Sequence, residues 1–166
     1  KGIDDVLRAL VLLKEKYADI HLIVHGDGPE RENLEQLAQD LGVSNEVTFT
    51  GNVARTETWH TRKASAAYIL NSTYEGLPHT ALTSFASETP IIATDIPGTN
   101  EAVYHEKSGL LVSPENPEAV ATAVERIFSE PELSKKLTDG GKKILYEKFS
   151  WDAHLKTLED LLTSLR

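Results

Sequence analysis

Apolar residues recur at spacings of three and four over residues 3–17, where Ile3, Val6, Leu7, Leu10, Leu13 and Tyr17 make one stripe and predict a helix. Asp4 and Asp5 stand in its first turn, where the helix dipole favours negative charge. The period then shortens: residues 20–25 alternate apolar positions with His21 and predict a strand, closed by the turn formers Gly26-Asp27-Gly28-Pro29. Helical spacing returns over 30–41, with Gly42 where a C-terminal cap is expected. Residues 47–50 predict a short strand stopped by Gly51-Asn52, 56–64 a weakly patterned helix, and 66–71 a strand of small and apolar residues.

The stretch 71–95, NSTYEGLPHTALTSFASETPIIATD, organises the middle of the chain. It starts with a tight turn at Glu75-Gly76-Leu77-Pro78, continues with a short amphipathic helical pattern and ends in an apolar run. A loop of this kind suits a phosphorylated ligand, because the N–H groups that open a helix are unpaired and carry the positive end of its dipole. Beyond it come a loop from Ile96 to a short helical segment near Ala102, a strand at 109–112 and three helices at 117–128, 132–147 and 151–165, Pro117 fitting a first helical turn.

Alternating helix and strand predict an α/β Rossmann-like domain of three layers, its parallel sheet covered on both faces. Right-handed crossovers bring the strand-to-helix loops at Gly26, Gly51, Glu75 and Asp95 to one edge, where open sheets bind ligands. A helix comes first, directly after Lys1-Gly2, although such a domain normally begins with a strand; that strand is expected upstream of Lys1. No repeat or low-complexity linker interrupts the chain, and residues 1–166 are expected to form one domain.

Composition narrows the choice of partner. A formal charge of −9 argues against nucleic acid, which needs a basic stripe to neutralise phosphates. Lys135, Lys136, Lys142, Lys143 and Lys148 are read as a solvated helix face, a peripheral contact with an anionic membrane surface being the alternative. Without cysteine there is neither disulfide nor thiolate metal site, which is compatible with the cytosol. No apolar run reaches the length of a membrane span, and the absence of methionine, even at position 1, marks the chain as a segment of something larger. Six histidines are scattered without metal-ligand spacing, so no metal is expected.

Seven short motifs occur in order: Lys1-Gly2, Gly26-Asp27-Gly28-Pro29, Phe49-Thr50-Gly51, Ser72-Thr73-Tyr74-Glu75-Gly76-Leu77, Thr89-Pro90-Ile91-Ile92-Ala93-Thr94, Gly109-Leu110-Leu111-Val112 and Phe149-Ser150-Trp151. In this order and spacing the chain resembles the C-terminal, donor-binding domain of a GT-B glycosyltransferase of family 4 (group 1), the retaining nucleotide-sugar enzymes. The resemblance implies a cytoplasmic glycosyltransferase working without metal or other cofactor, at the inner face of the membrane if peripheral contact is made. Its UDP- or GDP-linked donor would sit against an N-terminal GT-B domain of the same full-length chain. The helix at 151–165 would cross back to that domain, and this segment alone would transfer nothing.

Residue roles follow from the same resemblance. Lys1 would contact the donor diphosphate as a mobile point charge, and Glu75 would hold hydroxyls of the sugar. These two are the candidate catalytic residues, while Gly76, Leu77 and His79 would offer N–H groups to phosphate; Pro78 has none. The loop Thr50, Gly51, Asn52 and Val53 would meet the nucleoside. The family's second glutamate falls on Thr83, which can give the ribose a single neutral contact at most. Glu88 cannot replace it, since five residues turn a helix side chain by about 140°. It also stands where the family usually has glycine. A sugar-nucleotide epimerase of the same architecture and a degenerate, non-catalytic binding domain are the competing readings.

Overall fold

A computed structural model describes residues 1–164; Leu165, the last residue of the final expected helix, lies outside the described residues. Helix α1 (Ile3–Lys14) leads into β1 (Leu22–His25), α2 (Arg31–Asp40), β2 (Val47–Gly51), α3 (Arg55–Ala64), β3 (Tyr68–Leu70) and α4 (His79–Ala86). Then follow β4 (Ile91–Thr94), α5 (Thr99–Ala102), β5 (Leu110–Val112), α6 (Pro117–Ser129), α7 (Pro131–Lys148) and α8 (Trp151–Ser164). The expected helices and strands are all present, with ends that moved by up to three residues, some inward and some outward.

The first helix illustrates why ends move. The N–H groups of Lys16 and Tyr17 both turn back to the carbonyl of Leu13, which closes the helix before Tyr17. Tyr17 nevertheless packs on the core and meets Phe128 edge-on, ring centroids 5.1 Å apart. Its place in the apolar stripe reported burial correctly and helix membership incorrectly.

Every strand pairing is parallel, as expected, but the strands form two groups: β1 beside β2, and β3-β4-β5 with β4 central. Among the described residues no strand joins the free edges of β1 and β3; Ile23 is exposed, whereas all four residues of β4 are buried. Helix α1 spans both groups. Its Leu7 and Leu10 pack with Val43, Val47 and the β1–β2 pair, while Ala9 and Leu13 pack with Ile92, Leu110 and α6. Strand alternation sends Ile91 and Ala93 the other way, onto Phe85 of α4 and Ile144 of α7. The β3-β4-β5 group is thus sandwiched between α1 with α6 and α4 with α7, the three-layer arrangement.

Two helix ends use the same device with different residues. After α2, Val43 N–H bonds to Ala38 and Gly42 N–H to Gln39, with Gly42 left-handed at φ 67°, a Schellman cap. After α4, Thr89 N–H bonds to Ser84 and Glu88 N–H to Phe85, so the left-handed residue is Glu88 at φ 57°. A side chain there is strained, and only an exposed ion pair with Lys142 at 2.8 Å compensates. Relief of the backbone outweighs the loss of that pair. Glu88→Gly is therefore expected to raise Tm by roughly 2–4 °C, checked by thermal denaturation.

Candidate functional site

The strand-to-helix loops meet at one edge through close backbone approaches. Gly26 N–H bonds to the Gly51 carbonyl at 2.9 Å, joining the loops after β1 and β2. Gly98, in the loop after β4, lies so near the turn after β3 that a Cβ there would come within 2.0 Å of the Gly76 carbonyl oxygen. Gly2 is left-handed at φ 59°, and its hypothetical Cβ would stand 2.2 Å from the Asn71 carbonyl oxygen. Only glycine meets both demands at position 2. The Lys-Gly pair acquires a physical reason: glycine lets the chain turn hard against the end of β3, and that turn aims Lys1 across the edge.

There the Lys1 ammonium is ion-paired with the Glu75 carboxylate. Lys1 is exposed, whereas the Glu75 side chain keeps only 14% of its surface. Burial pushes the Glu75 pKa up, but the hydrogen bond from Lys1, the nearby Ser72 hydroxyl and the charge of the Lys1 ammonium hold it below its ordinary value. The Ser72 hydroxyl is fully buried and makes no well-formed hydrogen bond, so it acts on Glu75 as a neighbouring dipole. Thr94 fixes the turn from below by donating to the Ser72 carbonyl. Sequence reasoning brought Lys1 and Glu75 to one site, and the structure places them in contact.

Around this pair, the N–H groups of Gly76, Leu77, His79 and Thr80 have no backbone partner among the described residues. Gly76, Leu77 and His79 are exposed, as a surface offered to an anion requires. Thr83 lies one helical turn further, and its hydroxyl donates to the His79 carbonyl at 2.8 Å. That hydrogen is committed to its own helix; only the oxygen lone pairs remain for a ribose. Glu88 sits beyond the far end of α4 in a left-handed cap, away from the site; the helix has ended before it, so the end of the helix and not the helical period takes it there.

Of the nucleoside candidates, Thr50 and Gly51 end β2 rather than forming a loop, and Asn52 and Val53 open the loop that follows. The Thr50 hydroxyl faces inward, bonded to His25 Nδ1 at 2.9 Å and to the Gly51 carbonyl at 3.1 Å, while Asn52 is exposed and Val53 half-buried. Arg31 reaches this loop by donating to the Phe49 carbonyl at 3.2 Å. Sequence reasoning missed Arg31, His25, Ser72 and Asn71. Arg31, His25 and Asn71 act through contacts distant in the chain, and the one local signal was the position of Asn71 and Ser72 immediately before the turn. Among the described residues, no three His, Cys, Asp or Glu side chains converge as metal ligands, and no helix is long and apolar enough to cross a membrane.

A doubly wound α/β layer with its polar loops on one edge is a Rossmann-like domain, and its likeness to solved glycosyltransferase structures makes it the C-terminal half of a GT-B fold. The model for glycosyl transferases group 1 matches residues 1–144, and the chain belongs to that family. An uncharacterised glycosyltransferase of Methanocaldococcus jannaschii is 33% identical over 152 residues, which cover 92% of this chain and 39% of that protein. The chain thus spans well under half of that relative. Among structures, the C-terminal domain of the group 1 protein LpcC from Francisella tularensis superposes with a TM-score of 0.80 at 24% identity, covering 91% of this chain and 80% of that one. Anabaena HepE in complex with UDP gives 0.87 at 20% identity, covering 99% and 45%.

The Glu75 environment sets a pH dependence. Since the folded pKa is lowered from the ordinary 4.5, the contribution of Glu75 to stability is present above that value and is lost as pH falls through the folded pKa. Glu75→Gln removes that contribution. In urea unfolding the variant should be less stable than wild type at neutral pH, and the difference should close as pH falls below the carboxylate range.

Proposed function

We propose that this chain is the donor-binding part of a retaining glycosyltransferase that takes a hexose-type sugar from a nucleoside diphosphate. The observation that carries the reading is the meeting of Lys1, Glu75 and the unpaired N–H groups of residues 76–80 on one sheet edge. A sugar diphosphate brings the complementary chemistry: hydroxyls for a carboxylate and phosphate oxygens for an ammonium and amides. On binding, Lys1 turns from Glu75 to the diphosphate, and Glu75 accepts hydroxyls of the sugar. Charge growing on the departing phosphate is then met by Lys1 and by the amides of Gly76, Leu77 and His79. In this reading the role falls to the chain's own cations and dipoles.

The rest of the enzyme lies outside this segment in our reading. An N-terminal GT-B domain supplies acceptor contacts and the other wall of the cleft, and the strand leading to Lys1 fills the place between β1 and β3. Helix α8 supports this division of labour. Trp151, Leu155, Leu158 and Leu162 form an exposed stripe at helical spacing, suited to packing on a second domain. UDP in the HepE structure makes a UDP-sugar the first donor to try, with GDP-sugars as the comparison. We place the enzyme in the cytoplasm, with peripheral contact at the inner membrane face as the alternative setting.

A second reading rests on Thr83. With its hydroxyl bonded back to His79, the position offers ribose no carboxylate, which fits a degenerate domain that has lost activity. An epimerase of similar architecture is the third reading, and the group 1 match disfavours it. Calorimetric titration of the full-length protein with UDP- and GDP-sugars separates the first two; a folded protein that binds neither is a scaffold. Glu75→Ala in the intact enzyme is expected to lower transfer by at least about a hundredfold, and unaltered turnover would place the sugar elsewhere. The isolated segment should bind donor weakly and show no transfer in a product assay.

A further inference from the structure

We propose that Asn71 is the positioning residue for Lys1: its side-chain amide anchors the Gly2 turn to the end of β3 and thereby sets the ammonium over the donor site. Asn71 is 5% exposed, and its Nδ2 donates to the Gly2 carbonyl at 2.9 Å and to Asp5 Oδ2 at 3.3 Å. Both partners are acceptors, so an amide NH2 is the group that satisfies them, and a flipped amide or a carboxylate would set oxygen against oxygen. The helix itself holds that carbonyl poorly, since Val6 N–H reaches Gly2 O only at 3.4 Å. Asn71 makes the shorter bond.

Backbone contact reinforces the side-chain bond. The left-handed Gly2 lies directly on the Asn71 carbonyl, with no room for a Cβ between them. Lys1 is the next residue back, so the Asn71–Gly2 contact fixes where its flexible stem begins. Four residues further along, the Asn71 segment becomes the turn that carries Glu75. One amide therefore registers the two donor-binding groups against each other. Asn71 touches neither sugar nor phosphate; it acts through Lys1.

The inference rests on the reading of Lys1 as a diphosphate contact, and a double-mutant cycle in the full-length enzyme tests the two separately. Donor affinity is read by titration with UDP- and GDP-sugars, alongside donor and acceptor KM and kcat. Lys1→Ala should weaken donor binding about tenfold or more. Asn71→Ala should weaken it about three- to tenfold with acceptor KM unmoved, and should add less than about twofold in the Lys1→Ala background. If the Asn71→Ala loss persists undiminished without the lysine, or never occurs, the positioning role is wrong while the donor site stands. If Lys1→Ala binds donor normally, the reading of the site fails as well. Asn71→Asp, nearly identical in shape, covers the case in which the alanine variant does not fold; it should weaken donor binding at neutral pH, and normal affinity would overturn the proposal.

Discussion

Burial of one helix face holds this domain together and also delivers its chemistry. Helix α1 is the element that packs on both strand groups, with Leu7 and Leu10 on one core and Ala9 and Leu13 on the other. Each fully buried leucine contributes about 1.5–3 kcal/mol relative to an exposed one. Among the described residues the β1–β2 pair and the β3-β4-β5 group share no ladder hydrogen bond, and α1 lies across both. The same helix begins at Gly2, so whatever fixes its position along the sheet also fixes Lys1. Packing and site geometry are one constraint.

Parallel topology explains why the polar groups collect where they do. Strands that all run one way end on one edge, and each following helix starts there with its unpaired N–H groups. Close approach then removes the space between loops: Gly98 lies against the Glu75-Gly76 turn and Gly2 against Asn71. The bottom of the site is made of backbone, with Thr94 and Ser72 buried beneath it. A turn pinned on three sides can present exposed N–H groups in a fixed direction, as anion recognition demands.

Much of the fold was readable from periodicity, because burial has a period and helix and strand differ in it. The α1 stripe, the fully buried β4 and the Gly42 cap all stood where the pattern put them. Local backbone choices were harder to read. Tyr17 continued the stripe after the helix had closed, and the expected strand 66–71 shortened to Tyr68–Leu70 because its ends belong to loops. Lys1 and Glu75 came from motif resemblance; nothing in their spacing of 74 residues predicts an ion pair. Asn71 escaped notice because its importance lies in a contact with Gly2, 69 residues away. Residues that carry a local motif were named from the sequence, and those that act only through tertiary contact were not.

The Lys1–Glu75 pair shows how such an edge stays ready for a charged ligand. An exposed ammonium gains little from a carboxylate in high dielectric, since side-chain ordering and screening offset most of the Coulomb energy. A diphosphate offers more negative charge than one carboxylate, and the dipoles of four free N–H groups reinforce its attraction. In the proposed site, exchange of partners would then be downhill for Lys1. Glu75 would lose its cation at the same moment, while burial still disfavours its charge, and would need donors in return. Sugar hydroxyls are such donors. Phosphate alone would leave that carboxylate uncompensated, so the pair favours a ligand that brings both phosphate and hydroxyls, and discriminates by charge balance before any base contact is made.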